Sequence, residues 1–85
     1  MPINYERAKR RAPGLKAALT RAQRKPLPER YKAVLAACKA AITEWREWGA
    51  WPDDWATWEC ALNMAASGHA RETGEFPAIT KLVQI

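Results

Sequence analysis

Glu44-Trp45-Arg46-Glu47-Trp48-Gly49-Ala50-Trp51-Pro52-Asp53-Asp54-Trp55-Ala56-Thr57-Trp58 holds all five tryptophans of an 85-residue chain. Their spacings of 3, 3, 4 and 3 are those of a helical face. Gly49 and Pro52 interrupt that face in its middle. Glycine accepts the left-handed conformation that closes a helix, and proline suits the first turn of a new one. Asp53 and Asp54 follow, where carboxylates meet the positive end of a helix dipole. The stretch reads as helix end, turn and helix start. A link of about three or four residues makes the two helices antiparallel neighbours.

Upstream, Pro28 and Glu29 mark the start of a helix over 28–48. Tyr31, Val34, Leu35, Cys38, Ala41, Ile42, Trp45 and Trp48 recur along it in steps that keep one apolar face. Downstream, a helix over 52–67 presents Trp55, Trp58, Leu62, Ala65 and Ala66. Gly68 ends it, or a weaker turn through His69 carries it to Gly74; both readings fit. The tail, 75–85, holds Phe76-Pro77 and then Ile79, Leu82, Val83 and Ile85 with no helix start, so it reads as an extended segment.

At the other end, Asn4 suits the cap of a short helix from Tyr5 to about Ala12. Pro13-Gly14 is expected to break it. A second segment, Leu15 to about Lys25, has only the thin stripe Leu15, Ala18, Leu19 and Ala22. It either packs that stripe on the body or frays. The expected fold is all-α: one small helical domain, 1–85, on an antiparallel αα-hairpin, with a basic N-terminal helical arm over 1–25 and an extended C-terminal tail.

A chain of this size buries about 60–65% of its unfolded surface, so a few large side chains must make its core. Five tryptophans, each able to bury roughly 200 Å² or more, supply that bulk. Charge is divided unevenly. Arg7, Lys9, Arg10, Arg11, Lys16, Arg21, Arg24 and Lys25 face one acid, Glu6, giving residues 1–25 a net of +7; residues 26–85 carry −2, and the whole chain +5. The basic character belongs to the arm.

Little in the sequence supports catalysis or a cofactor. His69 is the one histidine and has no identifiable acid–base partner, so it reads as a surface or capping residue. No nucleophile stands beside a base, and no glycine-rich loop opens a helix after a strand. Asp53 and Asp54 are explained by a helix start without a metal, and Glu44 and Glu47 read as solvated charges. Cys38 and Cys60 form no metal motif and read as reduced thiols; a bridge would need Cα atoms within about 7 Å. No apolar run approaches the ~20 residues of a membrane span, and no signal-like stretch follows the N-terminal charges. The expected location is the cytoplasm.

The stretch from Glu44 through Trp-Pro-Asp-Asp-Trp to Ala61-Leu62-Asn63 resembles a segment of small uncharacterised proteins of actinobacterial phages. It covers residues 44–63. The resemblance implies a phage-encoded protein made in the host cytoplasm, and it carries no functional residues with it.

Together these features point to a non-enzymatic protein that binds a host protein. Trp51 lies in the turn with no helical face to join, and Trp48 lies at a helix edge, so these two are the expected anchors. Trp45, Trp55 and Trp58 are expected in the core. The alternative is a nucleic-acid-binding accessory protein using the eight basic residues of the arm. Tyr5 is the arm's one ring, which argues against a dedicated single-strand binder. Asp53, Asp54 and Glu59 argue against the helix after the turn as a DNA-recognition helix. A third reading is a homodimer with the Tyr31–Trp48 face as its seam.

Overall fold

Three helices, α1 Tyr5–Gln23, α2 Leu27–Trp48 and α3 Trp55–Thr73, account for nearly all of what the computed structural model describes, residues 3–74, 81 and 82. In α2 the apolar steps become one buried face: Val34, Cys38, Ala41, Ile42, Trp45 and Trp48. Gly49 closes the helix in the left-handed region at φ 83°, its N–H donating to the carbonyls of Trp45 and Arg46. That conformation costs glycine nothing and costs any residue with a Cβ about 1 kcal/mol or more.

The α2 face meets α3 antiparallel. Near the turn, the rings of Trp45 and Trp58 pack edge to face at 5.5 Å. In mid-helix the Cys38 thiol donates to the Trp58 carbonyl at 3.8 Å. At the far end the rings of Tyr31 and His69 pack in a tilted pair at 5.1 Å. Full burial of a tryptophan such as Trp45 removes roughly 200 Å² from water, about 5 kcal/mol before side-chain entropy is charged against it. α3 ends at Gly74, φ 77°, so the continuation past Gly68 is the one that forms.

α3 begins later than its sequence signal. Pro52, Asp53 and Asp54 form a turn, and the helix opens at Trp55, which lengthens the link to residues 49–54. Asp54 takes the N-cap position without a side-chain capping bond; its carboxylate is drawn instead to Lys16 at 2.8 Å.

The basic arm departs furthest from expectation. Pro13 and Gly14 do not break it; α1 runs unbroken through both. Proline forfeits one backbone bond and crowds the preceding turn. Packing outweighs that loss. Leu19 and Ala22 are buried, and Ala8, Ala12 and Leu15 lie against the same core. Asn4 caps the helix as expected, accepting from the Arg7 N–H at 3.1 Å, while its own N–H donates to the Trp48 carbonyl at 2.7 Å. Residues 24–26 link α1 to α2, so α1 also runs antiparallel to α2. The arm is the third helix of a bundle measuring 44 × 23 × 16 Å.

The Tyr31–Trp48 face, read as a possible dimer seam, packs inside the chain. No strand occurs among the described residues, and none of their helices is long and apolar enough to cross a membrane. Most of the tail expected to be extended lies outside the described residues; Leu82, within them, is buried in the core.

Candidate functional site

Trp51 leaves the turn and lodges between two other rings, Trp45 at 5.2 Å and Trp55 at 5.8 Å. The resulting row, Trp55–Trp51–Trp45–Trp58, runs from surface to core. Trp51 and Trp55 each keep 38% of their surface exposed. Trp51 is thus exposed as the sequence suggested. Trp55, expected in the core, is partly exposed: it heads α3 and packs its ring on that of Trp51.

Trp48 reverses its expectation and is only 4% exposed. The start of α1 covers it. Its indole Nε1 donates to Glu44 Oε1 at 3.1 Å, so its polar atom is satisfied within the fold. It remains close to the surface as a lining residue of a groove, not as a free anchor.

That groove, about 280 Å³, lies at the closed end of the hairpin. Ile3 and Tyr5 contribute from the start of α1, and Trp51 and Pro52 from the turn; buried Trp48 also lines it. Tyr5 is 72% exposed. The arm and the hairpin turn, distant in sequence, therefore build one groove.

Glu44 holds these two parts together. It is 8% exposed and not the solvated charge its basic neighbours suggested. Arg7 donates to it through Nε at 2.6 Å and Nη2 at 3.4 Å, and Arg11 Nε lies 3.5 Å away. The Arg7 guanidinium holds the Glu44 carboxyl below its ordinary value against the opposing pull of burial, and the Trp48 indole adds to the lowering. A readable hint exists: Glu44 sits four residues before Trp48, on the border of the apolar face. Its partner thirty-seven residues away, Arg7, leaves no local trace.

The eight basic candidates divide accordingly. Arg7 and Arg11 are engaged by Glu44, and Lys16 by Asp54. Lys9, Arg10, Arg21, Arg24 and Lys25 are exposed and make no ion pair among the described residues.

Elsewhere, the thiols do not meet: Cys38 is buried and Cys60 exposed, both free. Burial pushes the Cys38 thiol up to about 11. His69 packs on Tyr31, so its surroundings are those of a structural ring. Among the described residues no group of three His, Cys, Asp or Glu side chains could hold a metal ion. No family model, curated protein or solved structure matches the chain.

Proposed function

We propose that this chain is a non-enzymatic binding protein that docks on another protein through the groove at the closed end of the hairpin. The observation that carries this reading is the convergence of exposed Tyr5, Trp51 and Ile3 on one groove beside the buried Trp48. Aromatic rings held rigid by their neighbours lose little entropy on binding and are enriched among interface hot spots. The occupant would be an apolar side chain of a partner protein. If the chain is phage-encoded, as the Trp-Pro-Asp-Asp-Trp segment suggests, that partner is a host cytoplasmic protein.

A photo-crosslinking residue placed at Tyr5, and separately at Arg24 at the opposite end of α1, tests this in host lysate. A discrete protein adduct from position 5, absent from position 24 and lost on Trp51→Ala, is expected. Once the partner is purified, Tyr5→Ala should raise Kd about tenfold or more while leaving the far-UV spectrum unchanged. An adduct indifferent to position and to Trp51→Ala would overturn the assignment.

A second reading, nucleic-acid binding, is favoured by the five exposed cations Lys9, Arg10, Arg21, Arg24 and Lys25, which make no ion pair among the described residues. The two readings use different faces of the same helix and do not exclude one another.

A further inference from the structure

Neutralisation inside the fold sorts the charges of α1 by position. With Arg7 and Arg11 held by Glu44 and Lys16 by Asp54, the cations of the arm that make no ion pair among the described residues fall into two groups. Lys9 and Arg10 lie toward the start of the helix, and Arg21, Arg24 and Lys25 at its end and just beyond. Arg10 and Arg21 are eleven residues apart. At 100° per residue they share one side of the helix, about 16.5 Å from each other along the axis.

The surface between them is low. Gly14 and Ala17 occupy the intervening turns of that side, both exposed, and a Cβ built on Gly14 would meet nothing within 4 Å. Leu15 and Leu19 point the other way, into the core. Glu6, the one acid of α1, lies a turn before Arg10 and makes no ion pair among the described residues.

We propose that this ridge bridges the two phosphate rows of double-stranded DNA, Lys9 and Arg10 on one strand and Arg21, Arg24 and Lys25 on the other. The major groove is about 12 Å wide, and the reach of the arginine side chains covers the remaining distance between phosphates. The flat middle of the ridge lets the helix approach the groove. A single strand would instead call for rings interleaved with charge, and the ridge has none. A membrane surface would call for an apolar stripe along the helix beside the cations, and the leucines of α1, Leu15 and Leu19, are turned to the core. All five cations are assigned to phosphates, which carry no sequence information, so binding is independent of sequence.

This inference rests on the nucleic-acid reading above, and its test separates the two. The full chain is titrated by fluorescence anisotropy against a 20-base-pair DNA duplex, the matching single strand and the matching RNA duplex, in about 50 and 200 mM salt. Tighter binding to the DNA duplex is expected, with Arg10→Gln and Arg21→Gln/Arg24→Gln each weakening it about fivefold or more. Each charge removed should lower the salt slope by about one. Lys32→Gln, on α2, is the control for net charge and should change Kd less than twofold or so.

The decisive variant moves the second group back by about one turn at constant net charge: Ala17→Arg/Thr20→Arg/Arg21→Gln/Arg24→Gln. Bridging requires that it lose duplex affinity while its helicity is retained. Full affinity in that variant, or equal binding to the single strand or RNA duplex, overturns the bridging geometry and leaves the nucleic-acid reading standing. No binding of any of the three at low salt overturns both.

Discussion

Replacing Glu44 by glutamine keeps the volume and removes the charge at the point where α1 is fastened to α2. The carboxylate accepts from Arg7 twice, from Trp48 once, and faces Arg11 at 3.5 Å. A glutamine oxygen in the place of Oε1 can still accept from Arg7 Nε and the Trp48 indole, but its NH₂ then replaces Oε2 opposite Arg7 Nη2, and the charge that draws Arg7 and Arg11 is gone. A hydrogen bond to a charged group contributes about 1.5–3 kcal/mol, and water around half-exposed Arg7 moves the expectation to the low end, about 1.5–2 kcal/mol. For a domain of this size that is a fall in Tm of roughly 6–15 °C.

Urea denaturation at pH 7 should show a lower midpoint with an unchanged slope. The acid limb checks the cause. Because the folded state holds the Glu44 carboxyl below its ordinary value, the stability it contributes is fully present above the unfolded value near 4.5 and is lost as pH falls through the folded one. The gap between wild type and Glu44→Gln should therefore close on acidification. A double-mutant cycle with Trp48→Phe should give a coupling of about 1 kcal/mol. Equal midpoints at pH 7, or a gap that does not change with pH, would refute the account.

Other perturbations probe separate parts of the fold. At pH 8 a thiol reagent should label one cysteine quickly, exposed Cys60, while Cys38, buried and with its thiol raised to about 11, reacts only on unfolding; two fast thiols would contradict the core packing. Pro13→Ala should raise stability by about 1–2 kcal/mol without increasing helicity, because the helix already passes through Pro13. A large gain in far-UV helicity would show instead that the proline does break α1. Gly49→Ala forces a Cβ into the left-handed region and should cost about 1 kcal/mol in thermal melts, and an unchanged Tm would argue against that cap.

What the sequence revealed and what it concealed differ in range. The α2 face and the Gly49 cap were legible because each depends on residues within one or two turns. The helix through Pro13 was not, since propensity forbids it and contacts with another helix restore it. The exchange between Trp48 and Trp55 has the same origin. Each sits at a helix end, Trp48 closing α2 and Trp55 opening α3, and the packing of the start of α1 decides that Trp48 is covered. Glu44 was misread for this reason too. Near Arg46 and Glu47 in sequence it reads as a surface charge, and its burial follows from a partner near the N-terminus, Arg7. The Trp51 expectation survived because a turn residue has no helical face to be claimed by packing.

Glu44 also decides how α1 divides its surface. By engaging Arg7 and Arg11 it withholds two cations from the exterior, and by anchoring the start of α1 it holds Tyr5 and Ile3 against the Trp51 side of the groove. The two proposed binding activities should therefore respond to Glu44→Gln in opposite directions. Two released guanidiniums add phosphate contacts, so duplex affinity at low salt should rise, and the slope of log Kd against log salt should steepen by up to about two. Groove binding should weaken, because ordering a loosened α1 start must then be met from the binding energy. Both readouts come from one protein preparation at a temperature well below its melting point, so global unfolding, which would lower both, is distinguishable. Both activities unchanged in the folded variant would show that Glu44 serves stability alone. A gain in duplex binding with an unchanged groove would show that the groove wall is held by the Asn4–Trp48 backbone bond instead.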